Sequence, residues 1–307
     1  AAGLVAVVAC SSDNSPTTPV LPTAYAETKL VADDASLGAT TVDANLVNPW
    51  GIAFSSGGTM WVSDNGASLS TLYDGTGAKL QLVVGIPQAG GSPGGKPTGQ
   101  VFNSTTDFLI NGGNKAFFIF AGEDGTISAW NQAAGANAVI VADRSANGAV
   151  YKGIAMASNG GANSLYATNF KGNSIDIFDK NFAYVSSFTD TSVPSGYGPF
   201  GIHTINGQLF VTFAKQKAPD NEDDQAGVGN GYVDIFNPDG SLVKRFVSNG
   251  RLNSPWAVVA APSDFGSAGG DILIGNFGDG LIGAYDATSG AFLGYLHDSS
   301  NVPLTIP

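Results

Sequence analysis

Apolar and polar residues alternate in short bursts along most of the chain, and the bursts come in sets. "TMWVSDN", "AFFIFAGED", "SLYATNF", "QLFVTFA" and "DILIGNF" are versions of one segment. Each is followed by another, "STLYDGTG", "GTISAWN", "NSIDIFDK", "GYVDIFNPDG" or "GLIGAYDATSG", and then by runs such as "KLQLVV", "YVSSF", "LVKRFV" and "AFLGYL". A period of two predicts half-buried strands, and "DGTG", "NPDG" and "ATSG" carry the chemistry of hairpin turns.

A further segment opens each set: "PWGI" at Pro49, "PTGQV" at Pro97, "YKGI" at Tyr151, "GPFGIH" around Pro199 and "SPWAV" around Pro255. The spacing of roughly 50 residues is that of a propeller blade with loop insertions. The pattern therefore predicts an all-β fold, a β-propeller of four-stranded blades with five complete repeats and a partial sixth. "AETKLVADD" near the N-terminus is expected to supply the strand that closes the ring. Residues 25–307 form the propeller domain in this reading, and residues 1–24 form a leader remnant and tether.

Composition agrees with many strands and tight turns: 42 glycines, 15 prolines and 18 phenylalanines stand against 13 Lys plus Arg. The net charge of −12 argues against nucleic acid, whose binding needs clustered basic residues. The single cysteine, Cys10, forms no internal disulfide and ends "AAGLVAVVAC", which resembles the end of a bacterial lipoprotein signal. Lipid on Cys10 and the flexible "SSDNSPTTPVLPT" would place the protein at a bacterial cell envelope or outside the cell, with membrane contact only through that anchor.

"NLVNPWGIAF", "WVSDNGASLSTLYDGTG" and "GYLHDSS" resemble, in order and spacing, an uncharacterised family of secreted bacterial β-propeller proteins, from about Tyr25 to Pro307. That family is similar in outline to six-bladed propellers of the NHL and gluconolactonase type. The resemblance implies a secreted six-bladed fold and no particular activity.

Because the first two strands of a blade are antiparallel, the start of the first and the end of the second reach one face of the disc. Trp50, Phe200 and Trp256 mark a candidate binding face there. Asp64, Glu123, Asp124, Asn169 and Asn276 follow second strands and could offer oxygens to a hard cation such as Ca²⁺. In gluconolactonase-like propellers a comparable ring holds a metal that polarises a carbonyl. Asn and Asp also serve as ordinary turn residues. His203 is the candidate acid or base on an inner strand, and His297 reads as a strand-end residue.

The longest interruption, "KQKAPDNEDDQAGVGNGY" from Lys215 to Tyr232, carries Asp220, Glu222, Asp223 and Asp224 and is expected on the same face. It lacks the glycine and glutamate spacing of an EF-hand loop. "GGSPG" around Ser92 matches a nucleophile motif in the wrong setting, a Gly/Pro-rich connector. The leading functional expectation is a non-enzymatic propeller that presents one face to an unidentified protein or glycan. A metal-dependent lactonase or esterase and a structural assembly subunit are the alternatives. The hydrolase requires Asp64, Asn169 and Asn276 to converge on the channel axis.

Overall fold

The alternating segments form five antiparallel four-stranded sheets in a computed structural model that describes residues 19–306. Blade 1 comprises Pro49–Phe54, Met60–Asp64, Leu69–Tyr73 and Lys79–Gly85. Its meander is set by the registers Phe54 to Met60, Met60 to Tyr73 and Tyr73 to Lys79. Blades 2 to 5 begin at Pro97–Phe102, Tyr151–Asn159, Tyr197–Ile205 and Pro255–Ala260, and the strands of each follow in chain order from inside to outside. Besides strands, only short 3₁₀ turns occur among the described residues.

Glycines in the first strands let the blades approach around a central axis. A Cβ on Gly51 would lie 2.6 Å from the Thr98 carbonyl oxygen of blade 2, and one on Gly99 would lie 2.6 Å from Ile154 N of blade 3. A Cβ on Gly153 would approach the Phe200 carbonyl of blade 4 less closely, at 3.1 Å, and Gly201 faces Trp256 of blade 5. The approaches at Gly51, Gly99 and Gly201 leave no space for larger side chains.

Each neighbouring pair of blades encloses its own core. Trp61 stacks on Phe118 at 3.9 Å between blades 1 and 2, and Tyr151, Ile154 and Phe178 fill the next interface with Ile119 and Ile127. Tyr166, Leu209 and Phe213 lie between blades 3 and 4, and Phe210, Val258 and Ile274 between blades 4 and 5. Burying one such side chain is worth about 1.5–3 kcal/mol, so the inner face of every strand contributes.

No equivalent core joins blade 5 to blade 1 among the described residues. The N-terminal segment crosses this side instead. Val20 bridges Tyr295 of the last blade, Leu21 is buried with Leu273 and Leu296, and Tyr25 N donates to the His297 carbonyl at 2.8 Å. The fold thus begins before the boundary expected at residue 24. Farther along, Val31–Ala32 pairs in parallel with Thr41–Val42, and Asp43 accepts hydrogen bonds from Tyr73 and Lys79 of blade 1, both at 2.7 Å. A strap and a two-stranded piece therefore occupy the position expected for the partial sixth blade. Ile52, Phe54 and Val259 stay exposed on this open side. Cys10 and the leader lie outside the described residues.

Candidate functional site at the channel mouth

The first strands deliver one side chain each to equivalent positions at the mouth of the channel: Trp50, Thr98, Lys152, Phe200 and Trp256. Lysine at the third of these is buried, with 2% of its side chain exposed. Its ammonium is paired with Glu123 and lies 3.4 Å from Asp223 Oδ1. On another side it faces the Trp50 ring at 5.4 Å, a cation–π arrangement. Trp256 Nε1 donates to the Lys152 carbonyl at 2.9 Å.

A chain of hydrogen bonds extends from this pair toward the rim. Asn65 Nδ2 donates to Glu123 Oε2 at 3.1 Å, Asn48 Nδ2 to Asn65 Oδ1 at 3.2 Å, and Trp50 Nε1 to Asn48 Oδ1 at 3.3 Å. A buried lysine would be strongly unfavourable alone, and Glu123 offsets that cost.

Trp50 is half-buried and central to an aromatic group. Its ring lies 5.7 Å from Trp256, 6.0 Å from Phe200 and 4.7 Å from Phe277. Phe277 is 44% exposed and supplies the accessible rim of this group. Phe200, expected on the surface, is fully buried against Phe170 and Ala214 and supports Trp50 from beneath. The Phe200 side chain turns into the space under the mouth and is not part of the expected binding face.

The expected oxygen ring divides into separate roles. Asn169 Oδ1 accepts from Val150 N and Gly172 N, and Asn276 joins Asn253 N to the Arg251 carbonyl, so both amides order their own loops. Asp124 accepts from Ala89 N at 2.6 Å and from the Thr126 hydroxyl at 2.7 Å. Asp64 is fully buried, and burial pushes its carboxyl up to about 7 although Thr71 beside it favours the charged form. Of the five, Glu123 alone takes part in the pairing at the mouth. Among the described residues no three His, Cys, Asp or Glu side chains assemble as a metal-holding group.

The acidic loop reaches the mouth from blade 4. Lys217 N donates to the Asp223 carbonyl and Gln225 N to the Lys215 carbonyl, which folds the loop into a hairpin. Asp223 then faces Lys152, and Glu222 pairs with Lys171 at 2.7 Å. Asp224 bridges Gln216, while Asp220 is exposed. Ser92 lies in an exposed turn. His203 is away from this face, beside Trp256 in the channel, and His297 joins the Leu21 and Asp298 carbonyls.

Two residues of the mouth escaped the sequence reading. Lys152 carries a signal there, since "YKGI" puts lysine where the other repeats have Trp, Thr, Phe and Trp. Phe277 follows a second strand and reaches Trp50 only through the curvature of the ring.

No protein-family model matches the chain. It is 32% identical over 289 residues to an uncharacterised protein of Acanthamoeba polyphaga mimivirus, covering 90% of this chain and 70% of that protein. A second uncharacterised mimivirus protein is 33% identical over 276 residues, with 86% and 72% covered. The chain belongs to their family. These relatives are viral, where the sequence resemblance pointed to bacteria.

Among solved structures, a streptogramin B lyase superposes with a TM-score of 0.53 at 15% identity, covering 84% of this chain and 85% of that one. A catalytically inactive virginiamycin B lyase from Staphylococcus aureus with quinupristin gives 0.52 at 18%, with 85% and 70% covered. A chain of a nidogen/laminin complex gives 0.52 at 13%, with 85% and 84% covered. At these identities the likeness concerns the propeller fold alone.

Proposed function

We propose that this protein is a non-enzymatic binding propeller that presents the channel-mouth face to a glycan or protein partner. The observation that carries the reading is the pairing of exposed Phe277 with half-buried Trp50 at 4.7 Å. Aromatic side chains lose little freedom on binding and contribute large contact areas, and Asn48 and Asn65 beside them add amide hydrogen-bonding groups. Meanwhile the charged groups of the mouth already have partners: Lys152 holds Glu123 and Asp223, and Glu123 holds Asn65. Such mutual satisfaction suits a presenting surface better than a centre whose groups must exchange protons. Lipid on Cys10 would hold the propeller at an envelope surface with this face free.

A lactonase or esterase using a Ca²⁺ ring has less support, because Asn169 and Asn276 are committed to loop backbone. The assembly alternative rests on a different observation, the exposed Ile52, Phe54 and Val259 on the open side.

Binding of the purified protein to an array of soluble polysaccharides and surface proteins tests the proposal, with Trp50→Ala and Phe277→Ala in parallel. Each variant is expected to weaken capture at least about tenfold, as loss of a central aromatic contact does. Unchanged capture by both variants, or turnover of lactone or ester substrates by the wild type, would overturn it. Sedimentation at high concentration separates the assembly alternative, which requires self-association lost in Phe54→Asp.

A further inference from the structure

Beneath the mouth, the channel widens into a cavity of about 280 Å³. Its wall runs from Gly51, Gly99 and Gly153 to Phe102, Met156 and Thr204 at the opposite, hairpin face. Trp256 closes the inner end, because its indole N–H is fixed to the Lys152 carbonyl. Most of the wall is apolar, with Ile52, Val101 and Ile154 among the lining residues.

Two residues that line the cavity carry a buried acceptor without a partner. Gln100, 7% exposed, donates through Nε2 to the Gly51 and Trp61 carbonyls at 2.7 and 2.5 Å. Those two bonds fix the amide's orientation, and its Oε1 is buried with no hydrogen bond. His203 lies with its ring against Trp256 at 6.0 Å, and its Nε2 is likewise buried and unpartnered. Burial holds the imidazole well below its ordinary pKa, at about 4, so the ring is neutral near pH 7. Its other polar contact is with the Trp256 backbone, and a proton on the nitrogen facing that carbonyl leaves Nε2 as an acceptor. Orphaned buried acceptors are costly and are the groups that an entering donor satisfies.

We propose that the channel is a binding site for a small uncharged molecule with an apolar body and a hydroxyl group, which donates to His203 Nε2 or Gln100 Oε1. The volume lies at the lower end of small-molecule sites and suits a single ring. A cation or carboxylate would lose its hydration without a counter-charge in the wall. This site is distinct from the channel-mouth face and stands independently of what binds there.

The chain has two methionines, and Met156 lines the channel while Met60 does not. Methyl-labelled methionine therefore gives NMR a reporter and an internal control. Cyclohexanol is the probe, and methoxycyclohexane is its comparison without a donor. Cyclohexanol is expected to shift the Met156 methyl saturably, leave Met60 in place, and bind about tenfold more tightly than the ether, as one hydrogen bond allows. His203→Phe should reduce that preference for the alcohol. The wild-type comparison needs no variant to fold. An unmoved Met156, equal movement of both methyls, or equal affinity for alcohol and ether would overturn the proposal.

Discussion

The Lys152 ammonium lies 5.4 Å from the centre of the Trp50 ring while it is paired with Glu123. Two blades away from the aromatic, the lysine is held by a carboxylate of its neighbouring blade, so the mouth joins blades 1, 2 and 3. Lys152→Met removes the cation and leaves Glu123, whose side chain is 19% exposed, with the Asn65 amide as its partner in the network. The expected loss is about 3 kcal/mol, and Glu123→Gln in the same chain should recover part of it. Urea unfolding measures both, and a single-variant loss below about 1 kcal/mol would contradict the buried pairing.

Asp223 presents the opposite case. Its side chain is 76% exposed and 3.4 Å from the same ammonium, so solvent screens the interaction. Asp223→Asn should change stability by less than about 1 kcal/mol. A loss equal to that of Glu123→Gln would mean that the loop carries the lysine's counter-charge.

Blade spacing gives a prediction about the backbone. A Cβ on Gly201 would stand 1.8 Å from the Trp256 carbonyl oxygen, whereas one on Gly75 meets nothing within 4 Å. Gly201→Ala is expected to cost about 2 kcal/mol or more by forcing blades 4 and 5 apart. Gly75→Ala should remain within about 0.5 kcal/mol. Thermal unfolding of the two variants side by side checks the contrast.

The blades were legible because alternation, turn residues and the recurring first strand all repeat together, and local rules that agree reinforce each other. The site was less so. Strand direction puts Trp50, Trp256 and Glu123 on one face, and there all three meet Lys152. Asn169 and Asn276 were placed there too, yet their loops leave Val150 N, Gly172 N and Asn253 N in need of acceptors, and the amides turn to them. Phe200 shows the same limit: its position in the repeat was read, but not the space beneath Trp50 that draws it inward. Whether a polar side chain faces a ligand or its own backbone depends on loop geometry, which spacing does not encode.

His203 should also be visible in the pH dependence of stability. Its folded pKa is depressed to about 4 from an ordinary 6.5, so between these values the unfolded chain takes up the proton first. Stability contributed by the neutral ring is full above about pH 6.5 and is lost as pH falls toward 4. Relative to His203→Phe, the wild type is expected to lose up to about 3 kcal/mol across that window. Parallel pH profiles would reject a buried neutral ring.

Asp64 has the opposite sign. Burial raises its folded pKa to about 7 from an ordinary 3.8, so the folded protein holds the proton more tightly than the unfolded chain. The protonated carboxyl's contribution is full below about pH 4 and is lost as pH rises through 7, where a charge must sit in a buried site. Asp64→Asn keeps the shape and removes the titration. Between pH 4 and pH 8 the wild type should lose up to about 4 kcal/mol relative to this variant. Urea midpoints across the range measure the difference. A difference that stays flat would mean that Asp64 is ionised in the folded protein at every pH above 4, held by Lys79 of the same blade.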